Sequence, residues 1–325
     1  LQEMQGQGTD AGGREELVDG VGGVCFVPSV MERWRELQEF QARPDDTLIA
    51  TFPKAGEWSS MLNSALIMSL CTFWTGTSWA IEMVDVVRRG GDISGCLQIP
   101  SMMRAPFLEL NPPPPFPSGI DILQNQPSPR LIKTHLPFHL LPPSFVDQNC
   151  KMVYVARNAK DTAVSYFHFH RMNKKLPEPG DWNQFFDSFL TGQVAWGSWF
   201  DHVTGWWKEK NNHRILYLFF EDIKEMRLHC LSLCCLFLSR LFSILITEPF
   251  DRIIEHTSFK NMKQNPMTNF SLLPANIFDQ SVSPFMRKGE VGDWKNMFTV
   301  AQNERFEKEY RQLMSDRGPS FRMEL

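Results

Sequence analysis

Lys151 to Tyr166, KMVYVARNAKDTAVSY, reads as a buried strand that stops at a charged residue and turns directly into a helix. Its first six residues, Lys151-Met-Val-Tyr-Val-Ala156, form an apolar run rich in β-branched and aromatic side chains. Such a run suits a central parallel strand covered on both faces. Arg157 then stands at the strand's carboxyl end. Asn158 is an N-cap by residue type, Asp161 falls in the first turn, and Ala163, Val164 and Phe167 give the helix an apolar side. In open α/β sheets ligands bind at the carboxyl ends of strands, where helix N-termini point free N–H groups outward. An arginine placed there predicts an anionic ligand, against the plainer reading of a surface ion pair. Ser165 lies about two helical turns beyond Arg157, so spacing alone does not bring it to the same ligand.

Three further runs repeat the pattern. Thr47 to Phe52, TLIATF, is a strand that leads into Pro53-Lys54-Ala55-Gly56, a loop with the strand, loop and helix logic of phosphate-cradling sites. It lacks the GxxxxGK[ST] spacing, because Lys54 precedes the glycine. Arg130-Leu-Ile-Lys-Thr-His135 is a short strand that delivers Lys133 and His135 at its end, a catalytic-looking pair, although a lone histidine is more often structural. Arg214 to Phe220, RILYLFF, is the fourth strand. Four such strands separated by helical stretches predict an α/β fold with a central parallel sheet flanked by helices. Between them, Met31 to Ala42 reads as an amphipathic helix with Trp34, Leu37 and Phe40 on one side, and Trp182 to Trp207 as helical and rich in core aromatics. Residues 1–30 read as disordered or irregular. Ser283 to Lys295, SPFMRKGEVGDWK, puts Arg287, Lys288 and two glycines in one loop fit to wrap a phosphate, and Phe298 to Met314 closes the chain as a charged helix.

Composition narrows the classes. A chain of 325 residues with a net charge of −4 can bury a full core and shows no broad basic face for nucleic acid. Seven scattered cysteines and a polar, Gly-rich start predict a reducing, cytoplasmic setting. The chain opens at Leu1 and not at Met, and a different native start is expected. Two stretches break the soluble pattern. Trp58 to Ile81 carries no charge over 24 positions, long enough for a membrane span, yet it is rich in Ser and Thr and bounded by Glu57 and Glu82. Met226 to Ile246 is apolar nearly all round with Arg227, His229 and Arg240 inside it. His229, Cys230, Cys234 and Cys235 could be drawn as a metal cluster, but ligand pairs belong in polar loops with fixed spacers. No metal is expected, and no membrane span.

Taken together, TFPKAG at 51–56, RLIKTHLPFHLLPP at 130–143, YVARNAKDTAVSYFHF at 154–169, RILYLFFED at 214–222, TSFKNMKQNPM at 257–267 and FMRKGEVGDWKNMFTVAQNE at 285–304 resemble the cytosolic sulfotransferases, family 1 of phenol and hormone enzymes. The resemblance implies a single-domain sulfotransferase fold over 31–325 with a P-loop-like phosphosulfate-binding loop. It implies 3′-phosphoadenosine 5′-phosphosulfate as co-substrate and a small phenolic or alcohol acceptor, with transfer to a hydroxyl or amine. By resemblance His135 is the general base, Lys133 stabilises the transferring group, and Lys54 assists departure of the 5′-phosphate. Gly56, Thr77, Ser78 and Trp79 would complete the loop. Arg157, Ser165, Arg287, Lys288 and Gly289 would hold the 3′-phosphate, and Thr257, Phe259, Phe285 and Met286 would frame the nucleotide. Phe220 stands where the family usually has tyrosine. Phe107 and Phe169 would line the acceptor pocket, and Lys295, Thr299, Val300 and Glu304 match a homodimer motif.

The chain departs from the family at two places. Removing Glu57 to Gly76 joins Lys54-Ala-Gly56 to Thr77-Ser-Trp79 and restores the loop as KAGTSW, so these twenty residues read as an insertion. Met226 to Phe250 reads as a replacement of a charged helical segment. A carboxylate at Glu57, where the 5′-phosphate needs hydrogen-bond donors, would cost on the order of a thousandfold in affinity. An impaired homologue able at most to dimerise, or an incorrect gene model or splice variant, is therefore the alternative to an active transferase, and a membrane-inserted variant with spans at 58–81 and 228–247 is the third and least favoured reading.

Overall fold

The computed structural model describes residues 14–53, 76–112, 115–239, 248–273, 275, 277–315 and 318–325. A small antiparallel hairpin of β1 (Val18–Asp19) and β2 (Cys25–Phe26) precedes a parallel sheet of β3 (Thr47–Ala50), β4 (Leu131–Thr134), β5 (Lys151–Ala156) and β6 (Ile215–Phe219). The strand order is β4-β3-β5-β6, and every pair in this sheet is parallel. Helices cover both faces, and β3, β4 and β5 are buried along their whole length, Thr47, Lys133, Thr134 and Lys151 included. The expected α/β architecture is the one observed.

Strand order and register place the site. The connection leaving β3 leads to β4 on one side, and the connection leaving β5 leads to β6 on the other, which opens a crevice between their carboxyl ends. Ala50 pairs with Thr134, and Ala156 with Phe219. The next residue of each strand therefore meets its counterpart: Thr51 beside His135, and Arg157 beside Phe220.

The helix Ala159–Met172 follows β5. Asn158 caps it by accepting the Asp161 backbone N–H at 2.9 Å. At its far end Arg14 donates from Nη1 to the carbonyls of His170, Asn173 and Leu176 at 3.0, 2.9 and 3.0 Å, and its Nε pairs with Glu178 at 2.8 Å. A cation on the last carbonyls satisfies orphan acceptors and complements the helix dipole.

Three expectations change. Residues 14–30 are not irregular: they form the β1–β2 hairpin and the start of a helix, and Arg14, Phe26, Val27 and Val30 are buried. The helix expected at 31–42 is instead two short ones, Pro28–Glu32 and Trp34–Gln38, separated at Arg33, whose guanidinium reaches Asp121 at 2.8 Å. Leu37 and Phe40 still face the core. The aromatic stretch 182–207 is divided into Trp182–Thr191 and Trp199–Glu209 by Gly192 in the left-handed conformation (φ 74°), where an added Cβ would lie 3.0 Å from Ser198.

The segment read as a replacement forms the helix Arg227–Ser239. It sinks Cys230, Leu231, Cys234 and Leu238 into the core and packs against the helix Gly76–Arg88. No helix among the described residues is long and apolar enough to cross a membrane; of the candidate span at 58–81, residues 58–75 lie outside the described residues. Substituting Arg14→Ala should leave buried carbonyls without donors and lower stability by about 2–3 kcal/mol. Chemical denaturation reads this directly, and an unchanged midpoint would show that the clasp carries no weight.

Candidate active site

His135 leaves β4 fully buried. Its Nδ1 lies 2.7 Å from the Thr51 carbonyl oxygen, which can only accept, so Nδ1 carries the proton and Nε2 the lone pair. Burial, and then the nearby Lys133 ammonium, hold the imidazole well below its usual pKa. It is a neutral base at physiological pH. Its backbone is held as firmly: the N–H donates to Glu109 Oε1 at 2.6 Å, and the carbonyl accepts from His202 Nε2 at 2.9 Å. His202 in turn accepts the Tyr154 hydroxyl at Nδ1 (2.8 Å), and its own pKa is pushed down to about 3 by burial.

Lys133 sits within β4 with only 1 % of its surface exposed, its Nζ 3.8 Å from the Phe107 ring centroid. The rings of Phe107 and Trp196 lie 4.9 and 5.5 Å from the His135 ring, edge-on. Glu109 ties this box together, accepting from Thr134 Oγ1 (2.9 Å) and Trp196 Nε1 (3.3 Å) as well as from His135. Burial pushes its carboxyl up to about 7. Glu109, Trp196, His202 and Thr51 escape a reading by motif, since each acts through a contact distant in sequence.

The residues expected to bind an anion gather at the end of β5. Arg157 donates from Nη2 to the Glu290 carbonyl at 2.9 Å and lies 4.7 Å over the Phe220 ring. Its Nε is buried with no hydrogen-bond partner among the described residues, a donor aimed where an anion would satisfy it. Asp161 accepts the backbone N–H groups of Gly292 and Trp294 at 2.9 and 3.0 Å, and so docks the 283–295 loop on this helix N-terminus. Within that loop Arg287 and Lys288 both donate to Asp293. Burial alone would raise the Asp293 pKa, but these hydrogen bonds outweigh it and bring it down to about 2. Ser165 and Arg287, apart in sequence, line one cleft of about 190 Å³ together with Phe169, Phe285 and His168.

A second cleft of about 320 Å³ is lined by Trp79, Phe220, Thr257, Phe259 and Gly289, with Lys224 and Arg227 at its edge. Gly289 has φ 66°, and a Cβ there would fall 2.4 Å from the Phe259 ring, so only glycine keeps this wall. Flat aromatic walls beside a cation-rich loop fit a purine nucleotide. Thr77 and Ser78 are buried at the start of the helix Gly76–Arg88, and Thr77 Oγ1 is 2.8 Å from Thr51 Oγ1. Lys54 and Gly56 lie outside the described residues. Phe285 stacks on Phe278, and Met286 is buried, so both also serve the core. Phe169 packs edge-on against Phe278 as well as lining the Ser165 cleft.

Neither metal reading gains support. His229 is exposed while Cys230 and Cys234 point into the core. Among the described residues Glu82, Cys96 and His256 lie close enough to share an ion, but Arg104 already donates to Glu82 and, at 3.3 Å, to Cys96 Sγ. The centre is taken by a fixed cation. In the C-terminal motif Thr299 caps the helix Val300–Met314, Lys295 pairs with Glu324 at 2.7 Å, Glu304 is exposed, and Val300 is 76 % exposed.

A neutral imidazole beside a buried ammonium, with cationic clefts along the same sheet edge, is the equipment of an enzyme that transfers a charged group from an anionic donor. Sequence comparison makes this specific: the family model described as Sulfotransferase domain matches residues 67–318, and the chain belongs to the sulfotransferase family. It is similar to Sulfotransferase 1C2 of Homo sapiens, 46% identical over 313 residues that cover 96% of this chain and 98% of that protein. Sulfotransferase 1A1 of Canis lupus familiaris is 45% identical over 305 residues, covering 94% and 95%. Among solved structures, mouse sulfotransferase SULT7A1 complexed with PAP superposes with a TM-score of 0.70 at 31% identity, covering 92% of this chain and 95% of that one. A retinol dehydratase at 22% identity and TM-score 0.76 shares the fold.

Replacing Arg287 by Ala should weaken binding of adenosine 3′,5′-bisphosphate by about 1.5–3 kcal/mol, through loss of a charge-assisted contact. Calorimetry showing unchanged affinity would remove Arg287 from the site.

Proposed function

We propose that this chain moves the sulfuryl group of 3′-phosphoadenosine 5′-phosphosulfate to the hydroxyl or amine of a small aromatic acceptor. The observation that carries the reading is the Nδ1–H to Thr51 O hydrogen bond, which leaves His135 Nε2 as a neutral base next to buried Lys133. Bound, the co-substrate supplies an activated sulfuryl group and a phosphate leaving group. His135 takes the acceptor proton at Nε2. The Lys133 ammonium offsets negative charge on the transferring group, in surroundings of low dielectric where such charge is felt strongly. Trp79, Phe220 and Phe259 would sandwich the base; Thr257 and Gly289 line the same wall, and Phe285 and Met286, within the 283–295 loop, would help frame the nucleotide. Arg157, Ser165, Arg287 and Lys288 would hold the 3′-phosphate, and Lys54, Gly56, Thr77 and Ser78 the 5′ side. The complex of mouse SULT7A1 with PAP supports this nucleotide. Phe107 and Phe169 would bound a flat apolar acceptor site. A homodimer through Lys295, Thr299, Val300 and Glu304 would cover the exposed valine. The six described cysteines, all free, agree with a reducing cytoplasmic setting.

The stretch 57–76 remains, in this reading, an intrusion into a domain spanning 31–325, and 226–250 a replacement, of which the helix Arg227–Ser239 packs into the core. The 2.8 Å approach of Thr51 to Thr77 favours ends that stay together across it. Deleting Glu57 to Gly76 should raise affinity for adenosine 3′,5′-bisphosphate and the thermal midpoint in its presence, by linkage. Equal affinity of the full chain and the deletion variant would show that the insertion is harmless.

His135→Ala should abolish transfer and leave nucleotide affinity largely intact, because the base acts on the acceptor. Because burial depresses its pKa, the base form of His135 persists as pH falls through 6.5, so its protonation should cut kcat/KM only at lower pH. Parallel loss of nucleotide affinity and turnover in the variant, or a His135-dependent limb at or above pH 6.5, would contradict the assignment.

A further inference from the structure

A short chain of hydroxyls joins the base to the start of the donor-side helix. Thr51 Oγ1 lies 3.2 Å from His135 Nδ1 and 2.8 Å from Thr77 Oγ1, and all three residues are buried. Chemistry gives this chain a direction. Nδ1 is a donor, since it faces the Thr51 carbonyl, so Thr51 Oγ1 can only accept from it. The buried Thr51 hydroxyl must still place its own proton, and among the described residues Thr77 Oγ1 is the acceptor within reach. Thr77 then has its own proton left to donate, at the first turn of the helix Gly76–Arg88, where backbone N–H groups also lack helical partners.

We propose that Thr51 and Thr77 form a directional hydrogen-bond relay from His135 to an anionic oxygen bound at the start of the helix Gly76–Arg88, with Thr51 as the positioning residue that lets donor occupancy tune the base. The proposal rests on the nucleotide reading above. An anion accepting from Thr77 polarises its hydroxyl and makes it a better acceptor for Thr51; Thr51 in turn becomes a better acceptor for Nδ1–H. The effect favours the imidazolium that forms when Nε2 takes a proton. Lys133 acts in the opposite sense on the same ring, and Glu109 touches only the His135 backbone. The base is thereby strengthened when the donor side is filled.

The test uses the full chain with 15N-labelled histidine and adenosine 3′,5′-bisphosphate as probe, after calorimetry has established binding. Nucleotide should move the His135 Nδ1–H proton resonance downfield in the native chain. Thr51→Val should abolish that shift and lower kcat roughly two- to tenfold with nucleotide affinity and acceptor KM unchanged, and Thr51→Ser should restore both. A native chain that binds nucleotide without the shift, or a Thr51→Val variant that keeps it, overturns the relay. Failure of both the native chain and the Glu57–Gly76 deletion variant to bind in calorimetry overturns the nucleotide reading itself, and the relay with it; if only the deletion variant binds, the same shift is read in it, and its absence there overturns the relay. Should Val at position 51 prevent folding, Thr77→Val reads the same link from its other end, and a persisting shift there has the same meaning.

Discussion

Asp161 accepts two backbone N–H groups, from Gly292 and Trp294, 131 and 133 positions away in sequence, and a third donor from the Asn158 side chain at 2.8 Å. A carboxylate without any exposed side-chain surface is costly unless its oxygens are filled. Here it is filled by the loop that carries Arg287 and Lys288, so satisfying one buried charge also sets the position of the cationic wing over the end of β5. Lys160, one residue earlier, reinforces the dock by donating to Asn303 at 2.7 Å and lying 4.1 Å over the Trp294 ring. With the Arg157 Nη2 bond to the Glu290 carbonyl, this grip fixes the wing beside Arg157.

Register does for the catalytic side what Asp161 does for the anion side. Parallel pairing of Ala50 with Thr134 brings Thr51 and His135 together at the ends of neighbouring strands. A slip of one residue would turn His135 to the other face of the sheet. Polar groups are then concentrated where a stable core would exclude them: Lys133, His135, Glu109, His202 and Arg157 all lie under or beside the same crevice. Each is tolerated because a ring or a hydrogen bond compensates it, and the residual cost is of the kind expected at functional sites.

The helix Arg227–Ser239 contributes to the fold through bulk apolar packing. Its Cys230, Leu231, Cys234 and Leu238 fill the space beside the helix Gly76–Arg88, which any apolar stripe of suitable volume could do. Arg227, at its start, lines the aromatic cleft, so the segment read as a replacement borders the proposed nucleotide site.

Local sequence determined the four strands, the N-cap at Asn158 and the glycine-bearing loop, because apolar runs, capping chemistry and turn residues act over a few neighbours. It also put His135, Lys133 and Arg157 on or just beyond strand ends, which is where ligands meet a parallel sheet. Only the tertiary structure decided that Glu109, Trp196 and His202 surround His135, that Asp161 holds residues 292–294, and that Arg14 clasps the far end of the central helix. These contacts join residues from 26 to 162 positions apart. No local pattern marks them, since a buried carboxylate or arginine is read as a surface charge until its partners are known. The division of Trp182 to Trp207 into two helices was likewise hidden, because the aromatic periodicity outweighs a single glycine until the backbone shows Gly192 turning left-handed against Ser198.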